Sequence, residues 1–246
     1  MFVLLFAVAA WAGCQNALAG GGSFVTLPAL ILSGLDARAA NIASTLALFP
    51  GQVTTGWVGR GLVSGAGGLG FRALVAISLA GGALGAVLLL LTPSSFFARL
   101  VPWLVLFATA LFAYGSFVKR PAEAGPRVGP RAAGVMQFAI SVYGGYFGGG
   151  IGFLMLAALT AAGLAVRAAG ATKNVLASIM NAAAVAIFVF TPHIPWLRVA
   201  VVSVGAIAGG YAGAMLLKRV DERIIRGFVV LLGATLTVGL FLRQGR

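Results

Sequence analysis

The chain has 246 residues, of which 61% are hydrophobic and 9% charged, with a mean hydropathy of +1.06. A soluble domain carries roughly 25% charged residues, so the composition excludes a water-driven globular core and implies a polytopic membrane helix bundle; the expected location is the cell (plasma or inner) membrane. A net charge of +13 would suggest nucleic acid in a soluble protein, but here the basic residues stand between apolar stretches, where membrane orientation uses them, so nucleic acid is set aside as a partner.

Eight apolar segments follow one another, at about 1–33, 38–59, 71–92, 96–118, 134–163, 171–191, 196–217 and 223–242. Their connections are too short for a soluble domain. The first segment has no Lys or Arg before it. Trp11-Ala12-Gly13-Cys14 resembles a lipoprotein cleavage box, and Ala17-Leu18-Ala19 a signal-peptidase site. Without a basic leader, and with position 14 opening a stretch that has a counterpart later in the chain, no cleavage is expected. Cys14 is the one cysteine, so neither an internal disulfide nor a cysteine metal cluster is available.

Within the first segment lies Gly20-Gly21-Gly22, followed by Ser23-Phe24-Val25-Thr26-Leu27-Pro28. The apolar run around it is roughly 30 residues long, whereas one straight span needs ~20. Three successive glycines interrupt a helix, at about 1 kcal/mol each relative to alanine. In lipid a broken backbone persists only where protein or a water-lined cavity satisfies it. The second segment carries Ser44, Thr45 and Gln52 inside apolar sequence. Gly65-Ala66-Gly67-Gly68-Leu69-Gly70 matches G-x-G-x-x-G, but no strand precedes it and dinucleotide binding is not expected. The third segment holds Gly81-x-x-x-Gly85, a spacing that brings membrane helices close together.

After a Pro-, Gly- and charge-rich junction at 119–133, the fifth segment repeats the glycine run as Gly148-Gly149-Gly150. The sixth carries Lys173, Asn174 and Asn181, and the seventh Gly209-x-x-x-Gly213. His193 stands between Pro192 and Pro195 and reads as a loop residue. Gly34-Leu35-Asp36-Ala37-Arg38-Ala39-Ala40 corresponds to Gly163-Leu164-Ala165-Val166-Arg167-Ala168-Ala169 at an offset of 129, and the triplets match at 128. The expected organisation is all-α: membrane repeat 1 at 1–118, a linker at 119–133 and membrane repeat 2 at 134–246.

Charge chooses between two threadings. If every segment spans once, Lys and Arg number 9 on the linker side and 8 on the other. If segments 1 and 5 turn back at their glycines, 12 fall on the linker side and 5 on the other. The positive-inside rule favours the second threading, with inverted repeats, a cytoplasmic linker and both termini outside.

A glycine triplet after an apolar helix, an apolar stretch from Gly20 to Pro28, and a second glycine-rich copy with Lys173-Asn174 and Asn181 downstream resemble the sulfite exporter TauE/SafE family over nearly the whole chain. The resemblance implies a membrane transporter of sulfur oxyanions or organosulfonates such as sulfite or sulfoacetate. The second copy departs from the pattern in having Leu156 where the first has Pro28.

The residues alone also suit an anion. A helix restarting after a glycine break offers unpaired N–H groups and partial positive charge. The expected substrate-binding set is Gly20, Gly21, Gly22, Ser23, Gln52, Gly148, Gly149, Gly150, Lys173, Asn174 and Asn181, with Gln52 opposite Asn181 in the repeat register. Gln15, Asn16, Ser44, Thr45 and Tyr143 are further polar candidates. Simple alternatives stay open: glycines that only aid packing, amides that bond between helices, and a Lys173 that reaches for the interface. No phosphate loop is present, and Asp36, Glu123, Asp221 and Glu222 all fall in connections, so neither ATP use nor a carboxylate proton relay is expected. No catalytic residue, metal site or cofactor is assigned. The partners are a small anionic substrate and the lipid bilayer, and the oligomeric state cannot be read. A non-transporting membrane scaffold or accessory subunit is the alternative function.

Overall fold

The computed structural model describes residues 1–18, 21–117, 128–216 and 222–244. Among them are ten α-helices: α1 (Phe2–Leu18), α2 (Ser23–Leu32), α3 (Ala37–Gly59), α4 (Phe71–Leu91), α5 (Ser94–Phe117), α6 (Pro130–Tyr146), α7 (Ile151–Ala161), α8 (Val166–Phe188), α9 (Trp196–Leu216) and α10 (Glu222–Gln244). The chain is thus an all-α membrane bundle. Helix α4, residues 94–111 of α5, and α8 are each long and apolar enough to cross a bilayer.

Two of the eight apolar segments are broken. The first is α1 plus α2 and the fifth is α6 plus α7, with both interruptions at the glycine runs. Residues 119–127 of the expected linker lie outside the described residues. The remainder does not stay a linker: α6 already begins at Pro130 after a Gly129 cap, because proline fits the first helical position, where its missing N–H costs nothing. Helix α8 likewise starts at Val166 rather than near 171, carried by Ala168, Ala169 and Ala171, the best helix formers.

Corresponding ends are built alike. After α2, Leu35 N–H donates to Leu30 O at 3.3 Å, and after α7, Leu164 N–H donates to Leu159 O at 3.1 Å. These are the same six-to-one closing bonds of a helix C-terminus. The next helix starts differently in each case. Asp36 caps α3 by accepting from the N–H groups of Arg38 and Ala39 at 3.1 Å, whereas Ala165 before α8 has no side-chain cap. Burial works against the Asp36 charge. The Ser94 hydroxyl, the two backbone N–H groups and the Arg38 charge outweigh it and hold the carboxyl below its usual range. Arg38 also donates to the carbonyls of Leu90 and Thr92 at 3.1 and 3.0 Å, tying the start of α3 to the end of α4.

Small residues set the closest contacts. Helix α1 lies along α9, where a Cβ on Gly209 would collide with the Ala10 backbone. Helix α4 lies along α6, where a Cβ on Gly85 would meet the Val142 carbonyl, with Tyr146 N at 2.7 Å. Backbones this close gain dispersion that lipid does not supply. Helices α3 and α8 cross at the centre in opposite directions, since Gln52 meets Asn181 and Ser178 while Gly56 meets Ser178 and Asn174. Helix α5 runs against α10, with the Trp103 and Phe241 rings edge to face at 5.0 Å.

Among the described residues the apolar interior forms two clusters. One contains Leu5 near the start of α1 and Ala37 just after α2, with Phe24, Leu89, Phe97 and Phe188. The other contains Ala133 near the start of α6 and Ala162 just after α7, with Ala66, Leu74 and Met155. Gly67 holds the second pair of ends together: its N–H donates to Ala162 O at 2.9 Å, and a Cβ there would lie 2.6 Å from Ala133 Cβ. The α6–α7 unit therefore leaves from and returns to one end of the bundle.

A cavity between two helix breaks

Each break is formed by backbone that other residues resist. Gly21 has φ +83° and Gly150 φ +73°, a left-handed conformation costing an ordinary L-residue roughly 1–2 kcal/mol. Gly22 and Gly150 are the residues preceding α2 and α7, and neither helix receives a side-chain cap. The carbonyls of Gly21 and Gly22 accept from Phe24 and Val25 at 2.9 and 3.1 Å, and that of Gly150 accepts from Phe153 at 3.1 Å, so both helices start at once. The N–H groups ahead of these bonds have no carbonyl a turn earlier to reach, as at any helix start. Those of Ile151 and Gly152 have no acceptor among the described residues.

Two amides of α1 hold the first break in place. Gln15 Nε2 donates to Gly21 O at 3.3 Å, and Asn16 Oδ1 accepts from Gly22 N–H at 3.4 Å. Phe24, 2% exposed, bridges the breaks: its ring lies 2.9 Å from where a Gly21 Cβ would be and 3.5 Å from where a Gly150 Cβ would be. The two glycine runs, about 128 residues apart in sequence, thus face each other across one phenyl ring.

Between them is a cavity of about 80 Å³, lined by Asn16, Gly21 and Ser23 from the first break and by Gly148, Gly150, Ile151 and Gly152 from the second. Gln52 and Thr55 of α3, and Lys173, Asn174 and Ala177 of α8, complete the wall. The volume suits a few waters, each occupying about 30 Å³ in the liquid, or one small oxyanion. Lys173 brings the charge. Its Nζ lies against the first turn of α7, 3.5 Å from where a Gly152 Cβ would stand. No carboxylate of the described residues lines the wall. Two half-helix N-termini, each worth about half a positive charge, and one ammonium therefore converge on a space with no carboxylate among the described residues.

Of the expected binding set, Gly21, Ser23, Gln52, Gly148, Gly150, Lys173 and Asn174 line this cavity. Gly20 lies outside the described residues. Gly22 directs its N–H to Asn16, and Gly149 is turned against the Phe147 ring. Asn181 stands behind the wall, where its Nδ2 donates to Gln52 Oε1. The other polar candidates divide. Asn16 reaches the cavity. Ser44 instead pairs with the Thr26 hydroxyl at 2.6 Å, and Thr45 bonds back to Asn41 O at 3.0 Å. Tyr143 packs edge to face on Phe107 at 5.8 Å. Sequence reasoning missed Thr55, Ile151, Gly152 and Ala177. Helical spacing could have found two of them, since Thr55 follows Gln52 by three and Ala177 follows Lys173 by four, on the same helix faces.

Comparison with known proteins covers nearly the whole chain. The family model for the sulfite exporter TauE/SafE matches residues 5–240. The chain is 27% identical over 253 residues to a "Probable membrane transporter protein" of Haemophilus influenzae, covering 100% of this chain and 96% of that protein. It is 29% identical over 248 residues to "Probable membrane transporter protein ORF9" of a Sinorhizobium species, covering 98% and 92%, and 26% identical over 241 residues to "Probable membrane transporter protein YfcA" of Escherichia coli, covering 96% and 88%. Because the match runs from the first turns of α1 to the end of α10 and takes in both glycine breaks, the chain belongs to the sulfite exporter TauE/SafE family.

Proposed function

We propose that this membrane transporter is an exporter of small sulfur-containing anions, sulfite or an organosulfonate, and that the cavity between the breaks is its substrate site. One observation carries the reading: two helix starts without side-chain caps and the Lys173 ammonium meet in one space of about 80 Å³ with no carboxylate of the described residues on its wall. An anion entering it exchanges water for fixed donors that need no reorganisation, as half-helix ends provide in secondary transporters. Residues 1–118 and 134–246 act as two inverted repeats that rock about the site in alternating access, with the linker on the cytoplasmic side of the plasma or inner membrane. Helices α3 and α8, crossing in opposite directions beside the cavity, are the natural seam.

The driving force needs no coupled proton. An anion leaving a negative interior gains about 2.3 kcal/mol per charge per 100 mV. Purified protein in proteoliposomes should move sulfite by itself, faster as an outside-positive potential is imposed. Flux indifferent to potential but tied to a pH gradient would overturn the uncoupled mechanism. No flux of any sulfur oxyanion or organosulfonate without a second protein would favour an accessory subunit.

A further inference from the structure

The cavity wall contains amide side chains, and an amide can meet an anion with either its donor or its acceptor. Only the donor end is attractive. In two of these amides the acceptor is already used. Asn16 Oδ1 accepts from Gly22 N–H at 3.4 Å, and Gln52 Oε1 accepts from Asn181 Nδ2. What Gln52 retains is its Nε2, on a residue that lines the cavity. Its helix position is fixed as well, because its backbone carbonyl accepts from the Ser178 hydroxyl at 2.7 Å.

Asn181 itself is only 3% exposed and does not line the cavity. Its own Oδ1 is buried without a hydrogen-bond partner among the described residues. Leaving a buried acceptor unpaired is unfavourable, so packing alone does not explain an asparagine here. An apolar side chain of the same size would avoid that cost and would also leave Gln52 free to turn its oxygen inward.

Resting on the anion site proposed above, we propose that Asn181 is a positioning residue: by occupying Gln52 Oε1 it holds the Gln52 amide donor-first towards the substrate. Asn181 does not touch the anion. It keeps the Gln52 side of the wall electropositive and thereby favours anions over neutral molecules of similar shape. The cross-helix bond also places this control at the seam between α3 and α8.

The test is a double-variant cycle on the full-length purified chain, read by calorimetric titration with sodium sulfite. Asn181→Leu should weaken sulfite binding about tenfold, the loss of one hydrogen bond to a charged group. Gln52→Leu should weaken it by a similar factor. The double variant should bind no more weakly than Gln52→Leu alone, because Asn181 then has nothing to orient. Asn181→Asp, a near-isostere, offers Gln52 an acceptor instead of a donor when ionised and should then reverse the amide, in titrations run above the pH at which its carboxyl ionises. Its penalty should exceed that of Asn181→Leu and should shrink in the Gln52→Leu background. Thermal midpoints without sulfite report folding separately. Sulfite binding unchanged in Asn181→Leu, or losses that multiply in the double variant, would overturn this inference while leaving the anion site standing. Failure of the wild-type chain to bind any sulfur oxyanion or organosulfonate would overturn both.

Discussion

Gly150 is the position where the second helix break is most tightly specified, and replacing it with alanine tests the break directly. Its φ of +73° costs an L-residue about 1–2 kcal/mol. The added Cβ would lie 2.9 Å from Ala108 Cβ and 3.4 Å from Ala108 Cα, with the Phe24 ring at 3.5 Å. Ala108 is 1% exposed within α5 and has no side-chain torsion to move aside, so overpacking adds about 1–3 kcal/mol. Together these predict a destabilisation of about 2–5 kcal/mol for Gly150→Ala. Gly170 provides the control. It is in the interior of α8, and nothing lies within 4 Å of its would-be Cβ. Gly170→Ala should therefore stabilise by about 0.5–1 kcal/mol through helix propensity. Unfolding in mixed micelles, followed by the fluorescence of the four tryptophans, measures both against wild type. Gly150→Ala as stable as wild type, or Gly170→Ala the worse of the two, would refute the assigned backbone at the break.

Lys173→Gln should lower sulfite affinity roughly 10- to 150-fold, the equivalent of a charge-assisted hydrogen bond of about 1.5–3 kcal/mol, with Lys173→Arg recovering part of it in the same titration. Gly209→Val should abolish recovery of monodisperse protein on size-exclusion chromatography, because its Cβ has no room beside Ala10, whereas Gly239→Ala, with open space around it, should leave recovery unchanged. The Asp36 carboxyl is held below its usual 3.8 in the folded chain. Its stabilising contribution is therefore fully present above that pH and lost as pH falls through the lower folded value. Acid titration of micelle stability should find wild type losing its advantage over Asp36→Asn below about pH 4, and an advantage that grows on acidification would contradict the cap.

The membrane class, the two interrupted segments and most of the cavity wall were legible because each depends on local chemistry. Glycine triplets inside apolar sequence have few other uses, and no Asp or Glu shares the apolar segment of Lys173 to explain it. Orientation of side chains around a helix was harder to read. Ser44 and Asn181 are both polar residues in apolar helices, yet Ser44 satisfies Thr26 while Asn181 supports Gln52. That difference arises from where α2 and α3 meet, which no local pattern encodes. Helices begin ahead of the apolar stretches at Pro130 and Val166, because a first turn accepts proline and flanking charge that an apolar run does not contain. The role of Phe24 was invisible for a further reason. A phenylalanine in an apolar run carries no signal until its partner glycines, 21 and 150, are known to converge on it.

The central claim is that these two breaks and Lys173 form one anion site. A structure of the full chain soaked with selenite, the heavier analogue of sulfite, would test it through the anomalous signal of selenium. A single strong peak is expected inside the cavity, within hydrogen-bonding distance of the Ile151 or Gly152 N–H and of Lys173 Nζ. Selenium bound elsewhere, with the cavity holding only water while selenite competes with sulfite for transport, would contradict it.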